Sequence, residues 1–219
     1  MVSPLIYNLE QENCNMEILS DERVKSIIEN IKKKGFTIFE TPYKLNIVGV
    51  RSSSVIPNKF DDYIYVFYKT NDGLWEGRKY VATTDTGTYW LKYPKMQSGS
   101  ALLKEGQYID TWKKGLHGES NPYPALVQQK PVTVFRDYNK NNVLDFNGKE
   151  QTGLFGINIH RANPNVPSQN VDKWSAGCQV FQDPKDFQDF MSLVDKYKTA
   201  NNGLYSYTLI DNRWNDFYT

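Results

Sequence analysis

Cysteine and histidine are scarce in this chain, two of each, and one of each falls in the stretch Gly156 to Phe181, GINIHRANPNVPSQNVDKWSAGCQVF. A sulfur beside an imidazole can supply a thiolate nucleophile and a proton-accepting base. A free thiol has a pKa of about 8.5, and a neighbouring imidazolium lowers it by roughly one to several units. His160 is the expected base and Cys178 the expected nucleophile. Ala176 and Gly177 are small enough for a substrate carbonyl to approach the backbone. Amide hydrogens of Gly177 and Cys178 could then hold an oxyanion, a feature worth about 3 kcal/mol of barrier per donor. Singly, a histidine on a strand is usually structural and a lone cysteine is usually a small buried hydrophobe. The joint arrangement carries the reading.

Local patterns must bring the two together. Phe155, Ile157 and Ile159 alternate with Gly156, Asn158 and His160, the two-residue period of a half-buried strand, which predicts His160 on its polar face. Asn163-Pro164-Asn165, Pro167, Ser168 and Asn170 mark a loop leading to Trp174-Ser175-Ala176-Gly177-Cys178. After the cysteine, Asp183 can cap a helix with Pro184 in its first position and Phe187, Phe190, Met191 and Val194 on its apolar stripe.

A histidine on a strand, a loop, then Ser-x-Gly-Cys resembles the signature of L,D-transpeptidase (YkuD-type) catalytic domains, in which His is followed some fifteen residues later by Ser/Thr-His-Gly-Cys. Ser175, Gly177 and Cys178 match, and His160 stands at the right separation. Two positions depart: Ala176 replaces the usual second histidine, and Gln179-Val180 replaces an apolar residue followed by Arg or Asn. The pairing of Asn-Ile-His-Arg-Ala with Trp-Ser-Ala-Gly-Cys-Gln-Val looks like a divergent, phage-like branch, with similarity over about residues 45–195. The resemblance implies a mainly β, YkuD-like fold, a thioester acyl-enzyme and peptidoglycan stem peptides as substrate. It also leaves open whether water or an amine is the acceptor; the missing second histidine leans toward cleavage.

With 219 residues, the chain can bury one sizeable core, and a formal charge of +1 gives no basic field for nucleic acid. Aromatic residues make up 14%, with 15 Tyr and 11 Phe, which suits strands and predicts a mainly β fold with two or so helices, a sandwich or barrel-like sheet pair. Residues 1–40 read as an arm and a helix, and 41–219 as the catalytic domain. In the helix Ser20 or Asp21 is the cap, Val24, Ile27, Ile28 and Ile31 form the apolar stripe, and Lys32-Lys33-Lys34 with Gly35 ends it. Strands are expected at Phe36–Phe39, Leu45–Val50, Tyr63–Tyr68, Leu74–Thr83, Ala125–Val127, Val132–Phe135, Phe155–His160 and Tyr205–Ile210. Residues 84–124 read as a long loop region over the site, with Trp90, Tyr93 or Trp112 as ligand walls. His117 there is either a second site residue or a loop residue without a role.

Other residues invite chemistry less strongly. Arg51 and Arg161 could each grip a substrate carboxylate or merely face solvent, and Trp174 and Ala176 flank the expected substrate path. Asp137, Asn139, Asn141, Val143 and Asp145 reproduce positions 1, 3, 5, 7 and 9 of an EF-hand-like calcium loop, but position 6 is Asn142 and position 12 is Gly148. A polar hairpin is the competing reading. No cofactor is required for the acyl chemistry; calcium is the one possible ion, and no zinc spacing is present.

No run of eighteen apolar residues and no signal-like N-terminus is visible, so a membrane span is not expected. Cys14 and Cys178 are expected as free thiols in a cytoplasmically made protein that reaches the wall after lysis or with a virion. Two rivals stand beside the enzyme: a non-catalytic wall-binding or virion module on the same fold, and a cytoplasmic thiol hydrolase of another amide or ester. Oligomeric state is left open.

Overall fold

A computed structural model of the chain describes residues 16–212. Cys14 and most of the expected N-terminal arm lie outside them. The described residues form, in order, β1 (Glu17–Leu19), α1 (Asp21–Lys33), β2 (Asn46–Arg51), β3 (Asp62–Lys69), β4 (Trp75–Thr83), α2 (Thr88–Lys92), β5 (Ser100–Leu103), β6 (Gly106–His117), β7 (Tyr123–Gln128), β8 (Val132–Asp137), β9 (Lys149–Gly153), β10 (Ile159–Arg161), β11 (Gln179–Phe181), α3 (Pro184–Lys196) and β12 (Leu204–Asp211). The chain is mainly β, as its composition predicts, with the short α2 beyond the two expected helices.

One large sheet runs β1-β4-β11-β10-β7-β6-β12-β2-β3, and β3 pairs again with β4, closing the sheet like a barrel. β10 with β11 and β12 with β2 are parallel; the other pairings are antiparallel. A second, three-stranded sheet runs β5-β8-β9. Every residue of β2 is buried because its two faces serve two cores. Ile47 faces the main core with Trp112, Phe181, Phe190 and Tyr207, whereas Val48 and Val50 face α1.

Both long helices follow from capping and periodicity. The Ser20 side chain accepts from the Arg23 N–H at 3.2 Å, and Val24, Ile27, Ile28 and Ile31 are the buried stripe of α1. Each such side chain stabilises by about 1.5–3 kcal/mol when taken from water, so Val24→Asp alone would undock the helix. Asp183 caps α3 through the Lys185 N–H at 2.8 Å, and Phe187, Phe190, Met191 and Val194 pack into the main core.

Three expectations are corrected. Phe36–Phe39 is not a strand. Side-chain amides replace a strand partner there: Asn46 bonds both the N–H and the carbonyl of Phe39, at 2.8 and 3.0 Å, and Gln107 does the same for Thr37 at 2.9 and 2.8 Å. Phe155–His160 contributes only its end to β10, because the Phe155 and Ile157 N–H groups both donate to Gln128 Oε1, at 3.1 and 2.9 Å. Residues 84–124 are not a long loop: they hold α2, β5 and the twelve-residue β6. A bulge where Asp110 adopts φ 48° breaks the alternation of β6, so no two-residue period marks it.

Arg51 is neither a substrate clamp nor a surface residue. Its guanidinium is fully buried, 2.8 Å from Asp85 and 3.5 Å from Asp211, and it also donates to the Thr84 hydroxyl at 3.1 Å. It ties the ends of β2, β4 and β12 together. Trp112 is likewise a core residue, its indole N–H donating to the Ile157 carbonyl at 2.7 Å.

Candidate active site

The parallel pairing of β10 with β11 sets the site. His160 stands opposite Val180, and the Gln179 N–H donates to the Asn158 carbonyl at 2.9 Å, so the register runs back to Cys178. His160 and Val180, as register partners, project to the same side of the sheet, and Asn158 and Cys178 lie just before β10 and β11.

Cys178 is a half-buried free thiol lining a groove of about 540 Å³ together with Lys95, His117, Glu119, Asn158 and Ala176. Its thiol donates to the Gly156 carbonyl at 3.4 Å, and its sulfur accepts the Asn158 N–H at 3.4 Å. No Cys178–His160 hydrogen bond forms. Burial pushes the thiol up to about 11, against the Asn158 N–H and the positive charge of Lys95. Cys178 therefore rests as a neutral thiol, and the thiolate predicted from an adjacent imidazolium is not the resting state.

His160 is buried rather than on an open polar face, because His117 and Tyr123 cover that side. Its Nδ1 lies 2.8 Å from the Arg161 carbonyl and 3.0 Å from the Tyr123 hydroxyl, which itself donates to that carbonyl at 3.0 Å. A carbonyl only accepts, so Nδ1 carries the proton. Nε2 is left as a bare acceptor, and it is buried without a hydrogen-bond partner among the described residues. Burial, with His117 and Arg161 adding to it, pushes the ring down to about 3, so it is neutral throughout the physiological range.

His117, at the end of β6, lines the same groove as Cys178. Its ring stacks on His160 with centroids 3.8 Å apart, and its Nδ1 is 3.0 Å from Asn158 Nδ2. Asn158 Oδ1 is occupied by the Gln128 N–H at 3.0 Å, which fixes the amide so that Nδ2 donates to His117. His117 therefore carries its proton on Nε2, the opposite tautomer to His160. Burial lowers its pKa, and Lys95 and Arg161 add to that.

The turn before the cysteine has one permissible sequence at Gly177. Its φ is +129°, and an added Cβ would lie 2.3 Å from the Ala101 carbonyl oxygen. Ser175 is fully buried and closes the turn: its hydroxyl donates to the Cys178 carbonyl at 2.9 Å and accepts the Gly177 N–H at 3.2 Å. That corrects the expected oxyanion hole. The Gly177 N–H is already engaged, whereas the Cys178 N–H makes no hydrogen bond among the described residues.

The other expected substrate residues separate. Ala176 lines the Cys178 groove. Arg161 lies over the Tyr123 ring, 4.0 Å from its centroid, and lines a different groove beside α3. Trp174 lines a third, with Tyr89, Lys92 and Asp172. A groove of about 780 Å³ between β6 and α3 holds no nucleophile. Lys95, Tyr123 and Asn158 were not foreseen; only Asn158, one residue pair before His160 on its own strand face, carried a readable signal.

No described helix is long and apolar enough to cross a membrane. No protein-family model matches the chain, and no curated protein matches it.

Proposed function

We propose that the protein is a cysteine-dependent acyl-transfer enzyme acting on peptidoglycan stem peptides, as an L,D-peptidase or L,D-transpeptidase. One observation carries the chemical part: a groove-lining thiol just before β11 adjoins β10, whose His160 imidazole has an Nε2 that is buried, unprotonated and without a partner among the described residues. The stem-peptide substrate rests on the Ser175, Gly177 and Cys178 resemblance with His160 at the matching separation.

In this reading a substrate carbonyl enters the groove and the Cys178 thiol rotates away from Gly156. Sulfur attacks the carbonyl carbon as the thiol proton passes to His160 Nε2. The carbon–oxygen double bond opens to an oxyanion, held by the free Cys178 N–H and by the Nε2–H of His117. Collapse expels the leaving amine, which takes the proton back from His160, and a thioester remains. Water or an acceptor amine then attacks that thioester, giving up its proton to His160, and the thiol returns. Ala176 leaves room where a second histidine is expected by the resemblance; His117 brings a second imidazole from β6 instead. Lys95 supplies a cation for a stem-peptide carboxylate.

The rival is a non-catalytic wall-binding or virion module, favoured by one observation: the thiol is poorly acidic and is spent on the Gly156 carbonyl. Intact-mass measurement after incubation with a carbapenem separates the two. An acyl adduct on Cys178, absent from Cys178→Ala, is expected, together with altered muropeptide fragments. Labelling confined to Cys14, with muropeptides bound but unchanged, would establish the binding module.

A further inference from the structure

The loop that joins β8 to β9 is built around a buried carboxylate that pairs with no cation among the described residues. Asp137 ends β8 with 1% of its surface exposed, and neither carboxylate oxygen has a hydrogen-bond partner among the described residues. The Asp145 N–H lies near it, and the Asp145 carboxylate adds a second negative charge beside it. Two of the neighbouring ionic groups are committed elsewhere. Arg136 donates to the Gly99 carbonyl at 3.2 Å and to Gln151 at 2.8 Å, and Glu150 pairs with Lys104 at 2.6 Å. A carboxylate taken out of water without a cation is costly, and several kcal/mol is typical even after relaxation.

We propose that this loop binds a calcium ion through the Asp137 and Asp145 carboxylates, the Asn139 and Asn141 side-chain oxygens and the Val143 carbonyl, with water completing the shell. The backbone follows the cation-loop pattern beyond what the letters suggest. Asn139 Oδ1 accepts the Asn141 N–H at 3.0 Å and Asn141 Oδ1 accepts the Val143 N–H at 2.9 Å, so each amide oxygen keeps a lone pair to offer. Asn139 Nδ2 holds the Asp145 carboxylate. Asn142, which occupies the position usually held by glycine, adopts φ 63°, the left-handed turn for which glycine is otherwise needed. Leu144 is buried against Leu91 and Leu102 and anchors the loop to the body.

Position 12 supplies no bidentate glutamate: it is Gly148, and Glu150 is engaged with Lys104. Few charged ligands and water in the shell place affinity with weak extracellular calcium modules, about 10⁻⁴–10⁻³ M. Magnesium, which demands a near-ideal octahedron and sheds water reluctantly, fits this irregular set poorly. The site does not depend on the acyl-transfer reading.

The test uses the full chain, stripped with chelator, at constant ionic strength. At about 10 mM calcium chloride the wild type should gain about 3–10 °C in Tm, and magnesium chloride less than a third of that. Isothermal titration should give one calcium per chain. Asp145→Asn and Asn141→Ala, at less buried positions than Asp137, should fold and each lose most of the shift. No shift in the wild type, an equal shift with magnesium, or an undiminished shift in both variants overturns the proposal.

Discussion

Replacing His160 by asparagine tests the electrostatic core of the site through stability alone, before any substrate is known. In the folded protein the ring is buried and held down to about 3, whereas in the unfolded chain it titrates at its ordinary 6.5. Between those values the unfolded chain binds a proton that the folded chain refuses, so stability falls as pH falls. Integrating the linkage gives a loss of about 2 kcal/mol from pH 7 to 5 and about 3 kcal/mol from pH 7 to 4. Other groups mask this in the raw curve. Asp62, raised to about 7 by burial and by Asp85, binds its proton more readily when folded and pushes stability the other way over the same range. The difference between wild type and His160→Asn removes that common background. Its constant part reports lost hydrogen bonds, and its slope reports the titration. Urea unfolding at pH 7, 6, 5 and 4 should show the variant losing less stability than wild type by about 2 kcal/mol at pH 5. Parallel curves, differing by less than about 0.5 kcal/mol over that interval, would refute a buried neutral imidazole and remove the proposed base.

Alkylation of Cys178 by iodoacetamide, resolved from Cys14 by peptide mass mapping, should accelerate about tenfold per pH unit from 7 to 10, because burial holds the thiol up to about 11; a plateau below pH 9 would show a preformed thiolate. Gly177→Ala drives a Cβ to 2.3 Å from the Ala101 carbonyl at φ +129°, and calorimetry should show a loss of about 2–3 kcal/mol, or roughly 5–10 °C. An unchanged Tm would mean the turn can relax. Arg51→Met leaves Asp85 and Asp211 buried without the cation 2.8 and 3.5 Å away, and urea unfolding at pH 7 should register a loss of about 3–5 kcal/mol; a loss under about 1 kcal/mol would show that the carboxylates find other partners. Nitrogen-15 imidazole shifts at pH 7 should report the Nδ1–H tautomer for His160 and the Nε2–H tautomer for His117, and the same tautomer on both rings would break the assignment of base and donor.

The parts of the fold legible in the sequence were those with local causes. The α1 stripe at Val24, Ile27, Ile28 and Ile31 and the Asp183-Pro184 start of α3 needed only a cap and a period. The β6 strand did not announce itself, since Trp112 is buried but Lys113, Lys114 and Leu116 are exposed or nearly so and a bulge interrupts the register. Extended segments satisfied by the side chains of Asn46, Gln107 and Gln128 also look like strands in sequence and are not. At the site, the spacing of His160, Ser175, Gly177 and Cys178 was readable because it is local to one segment, which runs from β10 into the turn before β11. His117 and Lys95 come from β6 and the segment after α2, 61 and 83 residues before Cys178, and no local pattern ties residues that distant.

The two imidazoles divide the labour through the backbone rather than through their own chemistry. His160 is an acceptor at Nε2 because the Arg161 carbonyl claims Nδ1–H; His117 is a donor at Nε2 because Asn158 offers it a proton donor at Nδ1. Asn158 cannot turn over to reverse that assignment without abandoning the Gln128 N–H, 3.0 Å from its oxygen. The same Asn158 donates its own N–H to the Cys178 sulfur and accepts Gln179 N–H at its carbonyl. One residue thus sets the tautomer of the His117 ring, bonds the first residue of β11 and forms part of the sulfur's environment. A neutral acid and a neutral base kept apart at rest cost less to bury than an ion pair. In the proposed mechanism proton transfer is then driven by the forming carbon–sulfur bond, so the groove need not stabilise the thiolate at rest.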